Sequence, residues 1–368
     1  MAHYKIVAII GTRPEAIKMA PLISLLKKDK KIELITISSG QHKELLQPIF
    51  KLFKIKPDVE LNIMKENQSL VDIQNNVLHK MYDELQQLNP DLLLVQGDTS
   101  TVLASSLAAF YLKIPIGHVE AGLRTDDIYN PFPEEMNRRL VSSLATLHFC
   151  PTKTSENNLR KENIKKNVFV TGNTVIDSLL LLAKTIKNKT NTSTKKILLT
   201  CHRRENFGEP LEEIFNTVSE IAQERTNVTF IYPVHPNPNV KKIAIEKLST
   251  IKNITLVEPL DYLTFIKAMK DSYIILTDSG GVQEEAPALG KPVLILRENT
   301  ERPEVVSSGV AKLVGHNKNK IKKEIYKLLD DQKYYRSIAK GISPYGDGKA
   351  SQKIKKIIED FLRSEKSN

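Results

Sequence analysis

Three carboxylates, Asp98, Glu120 and Glu134, stand where a folded chain has little reason to put them unless they handle protons. Asp98 ends the run Asp91-Leu-Leu-Leu-Val-Gln-Gly-Asp98, and Glu120 follows Pro115-Ile-Gly-His-Val119. Both runs read as buried strands. An unpaired carboxylate leaving such a strand is costly, so each acid needs a cation or a chemical task. Arg13 and Arg124 are the cations the sequence offers for ion pairing. Glu134 opens a helix after Pro131-Phe-Pro133 and is either a cap or a general acid. A second set of residues suits an anion. Arg13 and Lys18 flank a helix start after Gly11, His202-Arg-Arg-Glu205 leaves another strand, and Asp278-Ser-Gly-Gly281 turns from a strand into a helix. A glycine turn at a helix start leaves backbone N–H groups unpaired at the positive end of the helix dipole, which suits phosphate. Gln283, Glu284 and Glu285 fall in the first turn of that helix, either as caps or as partners for sugar hydroxyls.

A regular alternation of elements positions these groups. Lys5–Ile10 reads as a strand; Gly11 permits the turn, Pro14 suits a first helical position, and Ile17, Leu22 and Leu25 recur at helical spacing. Further strands are expected at Ile32–Ser38, near Val59–Ile63, and at Asp91–Gln96, Pro115–Val119, Leu147–Cys150 and Val168–Val170. Helices are expected at Leu70–Leu88, Thr101–Leu112, Glu135–Ala145 and Thr154–Lys161. After the polar stretch 188–196 the alternation starts afresh. Strands open at Ile197 and Phe230 and cover Ile254–Val257, Tyr273–Thr277, Val293–Leu296 and Lys312–Val314. The helices here run over Pro259–Ile266, from the glycine turn to Gly290, and over Lys318–Leu329 and Gln352–Arg363. Short apolar runs without polar alternation are the mark of parallel strands covered on both faces, whose ligands gather beyond the carboxyl ends. The reading is therefore α/β, with two facing Rossmann-like domains and an active site in the cleft between them. The first spans 1–171 and is rejoined by the C-terminal helix within 350–368; the second spans 172–349.

Bulk properties narrow the function. With 368 residues, 40% hydrophobic and 26% charged, the chain can bury two cores and has the composition of a globular protein. No apolar run approaches the roughly 20 residues that span a bilayer, and the N-terminus carries no leader, so a soluble cytoplasmic protein is expected, with no membrane partner. Two cysteines, Cys150 and Cys201, give neither a disulfide framework nor zinc spacing, and each follows an apolar run as a buried residue would. A net charge of +11 raises nucleic acid as a partner. The lysines are scattered over helical faces without interleaved aromatics, so no nucleic acid is expected. Lys318–Lys327 and Lys349–Lys356 read as solvated helix faces.

Eight blocks in order carry a resemblance over nearly the whole chain. They are Gly11-Thr-Arg-Pro-Glu-Ala-Ile-Lys18, Gln96-Gly-Asp-Thr99, His118-Val-Glu-Ala-Gly-Leu-Arg124, Pro133-Glu-Glu-Met-Asn-Arg138, His202-Arg-Arg-Glu205, Tyr232-Pro-Val-His235, Asp278-Ser-Gly-Gly281 and Thr300-Glu-Arg-Pro-Glu304. Together they resemble the non-hydrolysing UDP-N-acetylglucosamine 2-epimerases, proteins of the GT-B fold. The resemblance implies interconversion of UDP-GlcNAc and UDP-ManNAc by anti elimination of UDP to 2-acetamidoglucal and re-addition with the proton delivered to the other face of C2. It implies that Asp98, Glu120 and Glu134 are the acid/base carboxylates, with base and acid unassigned among them, and that His202 lies near the diphosphate. Arg13, Lys18, Ser279, Gly280, Gly281, Glu285 and Arg302 are implied to hold the UDP-sugar. No metal or other cofactor is implied, and a homodimer is. Some relatives are activated by a second UDP-GlcNAc, and Gln41, His42 and His235 match part of that site; Asn67 stands where activated relatives carry an arginine. An epimerase for another UDP-2-acetamido sugar, a hydrolysing epimerase and a GT-B glycosyltransferase stay open as alternatives.

Overall fold

The computed structural model describes residues 3–40, 43–64, 68–125, 127–187 and 194–365. The chain divides into two compact units, Met1–Ser178 with Tyr345–Asn368, and Leu179–Pro344. In the first, β1 (Tyr4–Ile10), α1 (Arg13–Lys27), β2 (Ile32–Ser38), α2 (Lys43–Phe53), β3 (Val59–Glu60), α3 (Leu70–Leu88) and β4 (Leu92–Gln96) come first. They are followed by α4 (Ser100–Tyr111), β5 (Ile116–Val119), α5 (Glu134–Leu144), β6 (Leu147–Cys150), α6 (Lys153–Lys161) and β7 (Val168–Val170). The strands form one parallel seven-stranded sheet ordered β3-β2-β1-β4-β5-β6-β7. Ile6 to Ile10 and Leu92 to Val95 are wholly buried, as strands covered by helices on both faces must be.

Helix α7 (Thr174–Thr185) carries the division between the units. The second unit continues with β8 (Lys195–Thr200), α8 (Glu209–Glu224), β9 (Val228–Pro233), α9 (Pro238–Leu248), β10 (Ile254–Val257), α10 (Tyr262–Asp271) and β11 (Ile274–Thr277). Then come α11 (Gly280–Glu285), β12 (Val293–Ile295), α12 (Pro303–Ser307), β13 (Ala311–Leu313), α13 (Lys318–Asp330) and α14 (Gln332–Ile338). Its sheet is parallel, six-stranded and ordered β10-β9-β8-β11-β12-β13. Phe215, Phe230, Tyr232, Leu276 and Ile325 fill the core between the sheet and its helices. Two Rossmann-like units are thus present, as the alternation predicts. Helices α8, α9, α12 and α14 add to those read from the sequence. The first two are announced by Gly208-Glu-Pro210 and Asn237-Pro238, where proline fits the first turn and Asn237 accepts a bond from the Asn239 N–H.

One expectation is corrected. The helix after Asp278 does not run unbroken to Gly290 but gives way to a 3₁₀ turn over Ala286–Leu289, because Pro287 has no N–H to continue the α ladder. It also begins at Gly280, so Glu284 and Glu285 lie beyond its first turn. The lysine runs do form solvated faces: Lys320, Lys323, Lys327, Lys353 and Lys356 are exposed, while Ile321, Ile325, Ile354 and Ile358 are buried. Among the described residues no helix is long and apolar enough to cross a membrane.

Helix α15 (Ala350–Glu365) belongs to the first unit, where it packs on α1. Its start is fixed by Asp177 of α7, whose carboxylate accepts from the Ala350 N–H at 3.1 Å and the Ser351 N–H at 2.7 Å. Lys355 bridges it to Asp29 of the first unit at 2.6 Å. Replacing Asp177 by Ala is expected to cost on the order of 1 kcal/mol, read as roughly fivefold faster hydrogen exchange at Ala350 and Ser351. Unchanged exchange at both amides would show that α15 does not depend on this cap.

Candidate active site

In a doubly wound sheet the strand order reverses at one point, and the loops leaving the two strands there diverge and open a crevice. In the first unit that point lies between β1 and β4, with Ile6 opposite Leu92 and Ala8 opposite Leu94. The β1 loop brings Gly11, Thr12 and Arg13, the β4 loop brings Gly97 and Asp98, and the adjacent β5 brings Glu120. The two loops are tightly nested: a Cβ on Gly11 would lie 2.8 Å from Thr101 Oγ1, so only glycine fits.

Glu120 adopts φ +68°, a left-handed conformation costly for a side chain of this size, and is 8% exposed. Its carboxylate accepts from Lys18 Nζ at 2.6 Å to each oxygen, from Gln96 Nε2 at 2.5 Å and from Asn173 Nδ2 at 2.8 Å. Asp98 is partly exposed; its carboxylate accepts from Arg138 Nη2 at 2.5 Å and its backbone carbonyl from Asn137 Nδ2 at 2.9 Å. Burial holds the Asp98 carboxyl above the ordinary range, with Glu120 and Glu134 adding to the rise and Arg138 and Lys18 opposing it. Glu134, the first residue of α5, is partly exposed and has no hydrogen-bond or ion-pair partner among the described residues. Arg13 is exposed and likewise without a partner among them.

The cations expected from the sequence are therefore not the ones used. Arg124 donates to Glu162 at 2.7 Å and to Ser142 at 3.0 Å, because the chain turns away at Gly122, and Arg13 pairs with neither acid; Lys18 and Arg138 take their places. His118 is wholly buried, with Nε2 2.7 Å from the Gly97 carbonyl. A carbonyl only accepts, so this nitrogen carries the proton. Burial lowers the ring's pKa to about 3 and keeps it neutral.

The second unit has its switch point between β8 and β11, and both halves of its motif meet there. Asp278 is wholly buried; its Oδ2 accepts from the backbone N–H of His202 and of Arg203, each at 2.8 Å, and from Asn206 Nδ2 at 3.0 Å. It ties the two loops together. His202 is half-buried, its ring stacked on His235 with centroids 5.3 Å apart, and burial is the main cause of its lowered pKa. At Gly280 a Cβ would lie 3.3 Å from Arg302 Cζ and 3.4 Å from Arg203 Nη2, whereas Gly281 faces open space. Two guanidinium groups thus flank a bare peptide turn. Arg302 is oriented by Glu284, whose carboxylate accepts from its Nε at 2.8 Å. Glu285 accepts from the Tyr262 hydroxyl at 2.5 Å.

A family model described as UDP-N-acetylglucosamine 2-epimerase matches residues 24–359. The chain belongs to this family. It is 49% identical over 366 residues to a putative UDP-N-acetylglucosamine 2-epimerase of Thermotoga maritima, covering 97% of each chain. It is 46% identical over 370 residues to the UDP-N-acetylglucosamine 2-epimerase of Escherichia coli K12, covering 97% of this chain and 98% of that one. Its structure is similar to that of the Neisseria meningitidis UDP-GlcNAc 2-epimerase bound to UDP-GlcNAc, with a TM-score of 0.88 and 47% identity over 98% of this chain and 100% of that one.

Within this epimerase-family chain, Arg13, Lys18, Asp98, Glu120 and Glu134 belong to the first unit, and His202, Ser279, Gly280, Gly281, Glu285 and Arg302 to the second. Gln41 and His42 lie outside the described residues; His235 is described, against His202. Sequence reading gave no role to Gln96, Arg138 or Asn173. The signal for Gln96 was present, as the one amide ending the apolar strand Leu92–Gln96.

Glu15 was likewise passed over. It is 2% exposed, accepts from the Gly11 N–H at 2.7 Å and the Thr12 hydroxyl at 2.9 Å, and so shapes the loop that presents Arg13. Burial outweighs these bonds and raises its pKa from 4.5 to about 7. Below about pH 4.5 the folded and unfolded chains both hold this proton. Between there and pH 7 the unfolded chain releases it and the folded chain keeps it, so stability falls as pH rises, by about 3 kcal/mol at most. Wild type is expected to lose stability relative to Glu15→Gln as denaturation is moved from pH 5 to pH 7. Parallel curves for the two proteins would contradict it.

Proposed function

We propose that the chain interconverts UDP-GlcNAc and UDP-ManNAc without hydrolysis, by elimination of UDP and its re-addition. The observation that carries this reading is the grouping of Asp98, Glu120 and Glu134 at one switch point, with Asp98 disposed to keep a proton and Glu120 surrounded by donors. Inversion at C2 requires a proton to leave one face and arrive at the other, so two differently poised carboxyl groups are needed. The C2–H bond is a weak acid. It breaks when its electron pair forms the C1=C2 bond as the C1–O pair departs with the diphosphate. The proton passes to a carboxylate, and a second carboxylic acid returns one to the opposite face as the diphosphate oxygen re-attacks C1.

Departure of UDP places negative charge on the diphosphate, which cations and unpaired N–H groups stabilise. Arg13 in the first unit, and Arg203, Arg302 and the Ser279–Gly281 turn in the second, are suited to that task, with His202 beside them. The reading requires one UDP-sugar to engage groups from both units. It also assigns Glu285, steadied by Tyr262, to the nucleotide. Support comes from the family membership and from a structural relative whose crystals hold UDP-GlcNAc. No step in the scheme calls for a redox cofactor.

Incubation with UDP-GlcNAc in D2O is expected to place deuterium at C2 in both sugars while the nucleotide sugars survive, followed by NMR. Asp98→Asn, Glu120→Gln and Glu134→Gln should each slow exchange by roughly 10²- to 10⁴-fold with UDP affinity largely kept. Epimerisation without label uptake would sink the mechanism, and release of free sugar would point to hydrolysis.

A further inference from the structure

Asn173 precedes α7 and is 2% exposed. Its backbone N–H donates to the Tyr345 carbonyl at 2.6 Å, and its side-chain Oδ1 accepts the Val175 N–H at 3.1 Å, bonding the first turn of the helix. With the oxygen committed there, the amide nitrogen is left facing Glu120, where Nδ2 donates to Oε1 at 2.8 Å. Gln96, the last residue of β4 and also 2% exposed, donates to the other carboxylate oxygen at 2.5 Å. The Lys18 ammonium donates to both. Every one of these partners has only hydrogens to offer at its nitrogen. A protonated Glu120 would have to aim its own O–H into this ring of donors and lose one of them, so the ring selects the carboxylate.

Resting on the elimination mechanism above, we propose that Asn173 and Gln96 are positioning residues of the reaction, whose amide N–H groups, with Lys18, hold Glu120 as the ionised proton acceptor. Among the described residues Asp98 also acts on Glu120, and the His118 ring beside it is neutral. Asp98 has one cation at contact distance and two carboxylates near it, the opposite arrangement. The site therefore pairs a carboxylate enclosed by donors with one whose burial favours the protonated form, the contrast a proton transfer across C2 calls for.

Asn173→Asp separates positioning from capping. Aspartate still accepts the Val175 N–H, as good a cap as asparagine, but sets an oxygen against Glu120 where a donor stood. Asn173→Ser also caps and is too short to reach Glu120. We expect Asn173→Asp to lower kcat about 100-fold at pH 7, with KM and UDP binding within about threefold. The acid limb of its kcat–pH profile should rise by at least about one unit, since removing donors favours protonation. Gln96→Glu should behave alike, and Asn173→Ser should lose about tenfold with a smaller displacement of the limb. Wild-type kcat and an unmoved acid limb in Asn173→Asp or in Asn173→Ser would overturn the proposal, leaving Asn173 a cap only. Wild type that fails to exchange C2 deuterium would instead remove the mechanism on which the proposal rests, and the two failures are told apart by that control.

Discussion

The buried stretches of parallel strands covered on both faces carry mostly apolar side chains, so charged groups gather at their ends. Both units obey this constraint. Ile6 to Ile10, Leu92 to Val95, Ile197 to Leu199 and Ile274 to Leu276 are wholly apolar and wholly buried, and each run is followed within four residues by a charged side chain. The reversal of strand order then selects which ends matter. In the first unit it brings the loops after β1 and β4 together; in the second it does the same for β8 and β11. The core therefore fixes where the reacting groups emerge without touching them.

The same constraint explains why the loops are short and glycine-rich. A side chain on Gly11 would press on Thr101, and one on Gly280 would crowd Arg203 and Arg302. Loop closure is secured by acids that accept from backbone N–H groups: Glu15 from Gly11, and Asp278 from His202 and Arg203. They convert flexible turns into fixed ones, which is what a catalytic constellation held to fractions of an ångström requires.

Much of this was legible in the amino-acid sequence because parallel strands are uniform apolar runs and their bounds are set by charges. The strands Ile32–Ser38, Leu147–Cys150, Val168–Val170 and Ile254–Val257 match the expected limits residue for residue, and the helix Leu70–Leu88 does so with its Ser69 cap and the Pro90 beyond it. The acids at strand ends stood out for the same reason. What sequence could not supply was pairing. Arg124 is four residues from Glu120, yet the turn at Gly122 sends it to Glu162, while Lys18 reaches Glu120 from a helix 102 residues earlier. Asn173 comes from the other direction, 53 residues later, and nothing in its neighbourhood reports that its amide faces an acid. Local spacing predicts elements well; it does not predict which side chains from different elements share a hydrogen bond.

Position at a strand end therefore does not decide what an acid does; its partners do. Asp278, Glu120 and Asp98 occupy equivalent places in their sheets, each just beyond the last strand residue or within two of it. Asp278 meets backbone N–H groups that cannot move without moving the fold, so it serves as a clamp. Glu120 meets side-chain donors and a lysine rather than backbone N–H groups. Asp98 meets one arginine and two other acids, and burial first, with those acids adding to it, holds its pKa above the ordinary range. One architectural slot thus holds a clamp on the backbone in one unit and, in the other, two acids set apart by their partners, one enclosed by side-chain donors and one beside an arginine and two like charges.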